Sequence, residues 1–266
     1  MTSADMSVIA ILCTLAIVLS ITVFMVWASA SIRSGVYVRA FCREKTDRKV
    51  VYLTFDDGPH PPETERVLDV LRERGARATF FLISSKVSGN EAVLRRMLAE
   101  GHTLGLHTYS HAGTFPLLSF DKMLADVNEG KRTVESVAGK KISLFRPPFG
   151  VTNPTIAKVV RTLGLQTVGW DVRSFDTVSC KPSEHSCKQS GYSCKQSGHD
   201  WYVPVVERIM KQVRPGSVIL LHDRLDGASD LLALLLDRLT ASGYDFTHAL
   251  PNTLTSSSDS SETNLS

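Results

Sequence analysis

Val50-Val51-Tyr52-Leu53-Thr54-Phe55 runs directly into Asp56-Asp57-Gly58-Pro59-His60. The first six residues, rich in β-branched and aromatic side chains, predict a buried strand, and the Asp-Gly-Pro cluster predicts a turn. An apolar-striped helix follows from Thr64 to Arg74, closed by Gly75, and Ala78 to Ile83 reads as the next strand. Strand, turn, helix and strand in this order form the βαβ unit of a parallel sheet.

The same alternation continues along the chain. Asn90 is placed to cap a helix with Val93, Leu94, Met97 and Leu98 on one face, ended by Gly101. Thr103 to Leu106 is a short strand, Ser119 to Ala138 a long amphipathic helix, and Ser143 to Phe145 another strand end. Asn153-Pro154 opens a helix that Gly164 closes. Strands are predicted at Gln166 to Trp170, Ser217 to Leu221 and Tyr244 to Thr247, and helices at Pro204 to Val213 and Ala228 to Ser242. Seven strands alternating with helices imply an α/β fold on a parallel sheet, whether open or closed.

Ahead of this unit, Val8 to Ala30 is a run of 23 residues without a charge. As a helix it is roughly 34 Å long at ~1.5 Å per residue, enough for ~30 Å of bilayer hydrocarbon. Ala28-Ser29-Ala30 has the small-x-small look of a signal-peptide cleavage site. The length of the run and the lack of a basic residue before it favour a retained transmembrane anchor over residues 1–31. Arg33, Arg39, Arg43, Lys45, Arg48 and Lys49 all follow the span, so the positive-inside rule would place the main domain in the cytoplasm.

Residues 32–48 read as a basic linker, 49–250 as the folded domain and 251–266, rich in Ser, Thr and Asn, as a disordered tail. Three heptads beginning at Cys180, Cys187 and Cys194 interrupt the domain at 180–200. They lack an apolar stripe and the closely spaced Cys pairs of zinc sites, so a solvated low-complexity loop is expected. Lys+Arg 30 against Asp+Glu 27 leaves a net charge of +3, which gives no footprint for nucleic acid. Hydrophobic residues at 43% exclude a mostly disordered chain, and five cysteines are too few for a disulfide-built fold.

The unusual polar groups all fall just after strands. Asp56 to His60 follows the first, His107-Thr108-Tyr109-Ser110-His111 the third, and Arg146-Pro147-Pro148-Phe149-Gly150 the fourth. Asp171 to Asp176 follows the fifth and His222-Asp223 the sixth. That is the edge where parallel α/β folds hold their active sites. Singly, each cluster has an ordinary reading: a turn, a surface His pair, a stiff loop, a strand-end salt-bridge partner. Together they bring carboxylates, three His and one Arg to a shared pocket. Two His and one carboxylate make an open-sided divalent metal site, and a further carboxylate and His beside it supply a base and an acid for metal-assisted hydrolysis.

Thr54-Phe55-Asp56-Asp57-Gly58-Pro59, His107 to His111, Arg146 to Gly150 and Leu220-Leu221-His222-Asp223, in that order, resemble the NodB-type polysaccharide deacetylases, carbohydrate esterase family four. The resemblance covers about Lys49 to Leu250 and implies a distorted (β/α) barrel. It implies that Asp57, His107 and His111 hold one divalent ion, commonly zinc, with cobalt, nickel or manganese able to serve. Asp56 would be the general base toward the attacking water, and Arg146 would orient it and balance its charge. The backbone N–H of Phe149 would help hold the tetrahedral oxyanion. His222 would protonate the departing amine with Asp176 as its charged partner, and Leu220 would line the acetyl pocket. The substrate implied is an N-acetylated amino-sugar polymer such as peptidoglycan, chitin oligomers or exopolysaccharide. This puts the domain outside the cytoplasm, against the charge bias, and the outside placement is the expectation adopted.

One departure stands out. The family has Trp directly after the residue aligned with Asp176, and this chain has Thr177, with Trp201 available as a displaced replacement. The competing readings are an O-acetyl esterase or small-amide hydrolase on the same fold, and a membrane-tethered glycan-binding protein that has lost turnover.

Overall fold

The computed structural model describes residues 3–179, 201–252 and 254. Seven parallel strands form one sheet: β1 (Val51–Asp56), β2 (Ala78–Leu82), β3 (Thr103–Leu106), β4 (Leu144–Phe145), β5 (Gln166–Thr167), β6 (Val172–Arg173) and β7 (Ser217–His222). Their order is β5-β4-β3-β2-β1-β7-β6. The chain thus walks outward from β1 to β5 and returns on the other side, leaving β5 and β6 as the edges of a curled, distorted barrel. Helices α1 (Ser3–Ala30), α2 (Glu63–Glu73), α3 (Glu91–Ala99), α4 (Phe120–Ala138), α5 (Pro154–Thr162), α6 (Asp176–Ser179), α7 (Tyr202–Met210) and α8 (Ala228–Ala241) complete the described elements.

Strand periodicity decides which residues reach the interior. Leu53 and Phe55 of β1, Phe80 of β2, and Ile219 and Leu221 of β7 join the large core under the helices. The alternate residues, including Phe81 and Val218, form a smaller inner cluster with Leu144, Val168 and Leu250. Asp56 and His222 are paired in register at the carboxyl ends of β1 and β7. Gly105 of β3 lies opposite Phe81, and a Cβ there would sit 2.5 Å from the Phe81 ring. The glycine makes room for that ring inside the barrel.

Several sequence expectations change. The strand expected at Gln166 to Trp170 stops at Thr167, because the chain turns so that the Asp171 carboxylate accepts from the Val218 N–H (2.9 Å) and Ser217 Oγ (3.1 Å). The strand that brings the sheet to seven is β6 (Val172–Arg173), whereas Tyr244 to Thr247 makes only a bridge between Val50 and Asp245. There the Asp245 side chain accepts from the Thr247 N–H and hydroxyl, bending the backbone out of extended form. Asn153 caps α5 by accepting from the Ile156 N–H, but Asn90 turns back and donates to the Lys86 carbonyl instead of capping α3.

The expected linker is packed. Phe41 bridges Val168 just after β5, and Arg43 bridges Ser217 at the start of β7, so this segment is fixed to the sheet at both places. The start of the expected tail is also held, since Gln166 and Leu254 exchange two hydrogen bonds of 2.6 and 2.9 Å. The heptads at 180–200 and the tail beyond 254 lie outside the described residues. Helix α1 carries the 22-residue apolar stretch Ile9–Ala30, with mean hydropathy 2.8.

His102 lies at the foot of the sheet, where its Nδ1 accepts the Ala78 N–H at 3.2 Å, so the folded ring is neutral. Burial lowers its pKa from 6.5 to about 4, and nearby Glu100 only partly opposes this. The unfolded chain therefore binds the extra proton first, and stability falls as pH drops from about 6.5 toward about 4, by up to roughly 3 kcal/mol. Urea midpoints at pH 7 and pH 5 should separate more for the wild-type chain than for His102→Leu. An equal separation in both proteins would remove His102 as the cause.

Candidate active site

Among the described residues, five non-glycine residues have positive φ: Asp57 (74°), Thr108 (68°), His111 (49°), Phe149 (60°) and Phe175 (54°). All five lie in loops at the carboxyl edge of the sheet, after β1, β3, β4 and β6. Such conformations cost of order 1–3 kcal/mol each, and their clustering points to a working site.

The loop after β3 bends sharply enough to bring its two imidazoles together, with ring centroids 4.7 Å apart. The Asp126 carboxylate on α4 holds that bend by accepting the N–H groups of Tyr109 (2.9 Å) and Ser110 (3.2 Å). Thr108 Oγ1 accepts the His111 N–H at 2.9 Å. His107 Nδ1 meets the Arg146 carbonyl at 2.7 Å; a carbonyl only accepts, so this nitrogen carries the proton and Nε2 presents a lone pair. Nε2 of His107 and of His111 lie 3.6 and 3.5 Å from Asp57 Oδ1. The three donor atoms fall within 4.8 Å of one another, and they are the predicted trio. Two imidazoles and one carboxylate, open on one side, suit a divalent ion.

The electrostatics agree with that use. Burial and the adjacent His107 hold His111 below the ordinary histidine range, against the pull of Asp57 and Asp56. Burial opposes ionisation of Asp57, but His107, His222, Arg224 and His111 outweigh it and leave its pKa lowered.

The other predicted residues surround this trio. Asp56 Oδ2 lies 3.8 Å from His107 Nε2, and Asp56 Oδ1 accepts from Arg146 Nη1 at 2.7 Å. On the other side, Asp176 accepts both the His222 N–H (2.9 Å) and His222 Nδ1–H (2.8 Å). His222 Nε2 is then 4.0 Å from Asp57 Oδ2. Burial disfavours the charged ring, but Asp176, with Asp56 and Asp57 behind it, raises the His222 pKa overall. Leu220 and Phe149 line the same cavity of about 220 Å³. A larger apolar hollow of about 600 Å³ lies at the β5 edge, between Phe41 and Leu254, and brings together no acid, base or ligand set.

Comparisons with known proteins identify the family. A family model described as Polysaccharide deacetylase matches residues 43–168. A peptidoglycan-N-acetylglucosamine deacetylase of Bacillus cereus is 34% identical over 207 residues, which cover 75% of this chain and 86% of that protein. This chain belongs to the polysaccharide deacetylases of carbohydrate esterase family 4. A chitooligosaccharide deacetylase of Azorhizobium caulinodans is 30% identical over 178 residues, 65% of this chain and 73% of its own. The family 4 carbohydrate esterase of Streptomyces lividans, solved with acetate, is similar at TM-score 0.61 and 27% identity, covering 75% of this chain and 92% of that one.

Against the family pattern, Thr177 does line the cavity, but the displaced-Trp expectation for Trp201 is not met. Trp201 packs on the main core beside Gly227, and the aromatic walls of the cavity are Trp170, Phe175 and Phe149. Gly150 (φ 70°) admits the Trp170 ring, which a Cβ would meet at 2.5 Å. Sequence reasoning also missed Asp126, Arg173 and Arg224. Arg224 Nε donates to Asp57 Oδ2 at 2.8 Å. Its signal was its place two residues after His222.

Purified chain dialysed against zinc should hold one divalent ion, and the His107→Ala, His111→Ala double variant close to none, by elemental analysis on protein whose fold is checked by circular dichroism. Full occupancy in a folded double variant would refute the ligand set.

Proposed function

We propose that the chain is a metal-dependent hydrolase that removes N-acetyl groups from an amino-sugar polymer. The observation that supports this most is the placement of two differently equipped groups on either side of the Asp57, His107 and His111 trio. Asp56 sits against the buried Arg146 on one side, and His222 is backed by Asp176 on the other. The named activities of the Bacillus cereus and Azorhizobium relatives point to the same reaction class. We place α1 in the membrane as a retained anchor, with the catalytic domain outside the cytoplasm.

A bound divalent ion, zinc foremost, would polarise the acetyl carbonyl and ease ionisation of water. In this reading, Asp56 accepts the proton of the attacking water, and Arg146 fixes which carboxylate oxygen faces it. The acetyl group sits against Leu220, and the Phe149 N–H donates to the oxygen that gains charge when the carbonyl becomes tetrahedral. His222, charged and hydrogen-bonded to Asp176, gives its Nε2 proton to the sugar nitrogen. The C–N bond then breaks to release acetate and the amine. An amide nitrogen leaves poorly as an anion, so an acid of raised pKa opposite the base is what this reaction needs. The same acid is dispensable for an ester, which makes it diagnostic.

Acetate release from N-acetylglucosamine oligomers and peptidoglycan, measured with added divalent metal, should fall roughly 100- to 10,000-fold in Asp56→Asn and in His222→Ala, with metal content retained. Asp176→Asn should shift the alkaline limb of kcat/KM to lower pH, because His222 loses the partner that keeps it protonated. Full turnover in both Asp56→Asn and His222→Ala would sink the assignment.

A further inference from the structure

The end of α1 is fixed to the catalytic loop itself. The carbonyls of Ala28 and Ser29 accept from Thr152 Oγ1 (3.3 Å) and the Thr152 N–H (2.9 Å). Ser34 Oγ donates to the same Ala28 carbonyl at 2.9 Å. Ala28 is fully buried, and Ile32 lies against Gly169, where an added Cβ would meet its side chain at 3.1 Å. The small-x-small segment that resembled a cleavage site is thus helical to Ala30 and packed on the domain. Thr152 is three residues from Phe149, at most ~10 Å of extended chain. The base of α1 is therefore hydrogen-bonded to the same loop that supplies the Phe149 wall of the cavity.

The surroundings of that base suit a bilayer surface. Trp27 is half exposed on α1 beside Phe24, with ring centroids 5.8 Å apart. Leu117 is 85% exposed, and its turn is tied to this corner by Asn153 Nδ2, which donates to the Pro116 carbonyl at 2.7 Å. Val36 is also exposed, and Arg33 and Arg39 point to solvent just past the helix. An apolar helix leaving the domain here, with exposed apolar side chains and two exposed cations following its base, has the composition that a membrane-facing corner needs.

We propose that α1 is retained and holds the mouth of the cavity against the membrane surface, so that the substrate is an acetylated amino-sugar glycan carried by a lipid rather than one free in solution. This rests on the deacetylase reading above and adds where its substrate resides. A substrate confined to the same surface meets the site at a raised effective concentration, and a cleft turned to the bilayer admits it without lifting it from the membrane.

The test uses the full chain in nanodiscs with zinc. A fluorescent non-canonical amino acid at Leu117 should be quenched strongly by a headgroup-level lipid quencher, and the same residue at Lys140, at the far end of α4, should be quenched several-fold less. An N-acetylglucosamine oligomer on a short lipid tether should be deacetylated with at least tenfold higher kcat/KM than the free oligomer. Equal quenching at the two positions, loss of α1 by cleavage, or equal rates on the two substrates would overturn the proposal. If neither oligomer releases acetate, the deacetylase reading fails, while the quenching contrast still decides the membrane placement by itself.

Discussion

The site depends on a guanidinium buried inside the barrel. Arg146 is completely shielded from solvent and donates to Asp56 (2.7 Å), Thr54 Oγ1 (2.9 Å), and the carbonyls of Val168 (3.2 Å) and Gly169 (2.8 Å). It lies over the Phe81 ring at 4.1 Å, and that ring in turn fills the space that Gly105 leaves open. Thr54 passes the network on, donating its own proton to the Ile219 carbonyl at 2.7 Å. One side chain from the end of β4 therefore ties together β1, β7 and the segment after β5. An unpaired buried charge costs about 3–5 kcal/mol when its partner is removed, so the network is stable only when complete. Completeness fixes the Asp56 carboxylate in one orientation, with one oxygen taken by Arg146 and the other facing His107. The Arg146 carbonyl also meets His107 Nδ1, so Asp56 and His107 are positioned by the same residue.

That alignment explains why strain gathers along one edge of the sheet. Asp57, His111, Phe149 and Phe175 are all held at positive φ and line the shared cavity, and Thr108, also at positive φ, holds the His111 N–H behind it. Regular backbone would carry Asp57 on along the strand direction, away from the two imidazoles. The packing of Arg146 and the Asp126 clamp on the His loop supply the compensation that keeps these conformations populated.

Much of this was legible before any coordinates. Clusters of polar residues after apolar runs fixed the edge of the sheet, and all nine residues expected in the site lie together there. The residues that escaped detection act through geometry that no local pattern carries. Asp126 sits mid-helix, like any exposed acidic residue, and its partners are backbone N–H groups 16 and 17 residues earlier. Trp170 read as the end of a strand, yet the turn at Asp171 swings it to the cavity. Residues 32–48 carried enough charge to read as a basic linker, but Phe41 and Arg43 meet Val168 and Ser217, which strand order alone brings near each other, a tertiary property. Gln166 and Leu254 hold the start of the tail by the same kind of long-range pairing.

The cavity gathers Asp56, Asp57 and Asp176 within reach of three imidazoles, and it avoids mutual repulsion by giving each carboxylate a different partner. Asp56 has Arg146, Asp176 has His222, and Asp57 has the two ligand imidazoles and Arg224. The consequence is that identical side chains are pushed in opposite directions. Burial beside another imidazole pushes His111 below the ordinary histidine range, and Asp176 pulls the buried His222 above it. The difference comes from neighbours rather than from residue type. Arg224 completes the balance from the rim of the cavity, where 40% of its side chain is exposed, whereas the Arg146 side chain has no contact with solvent.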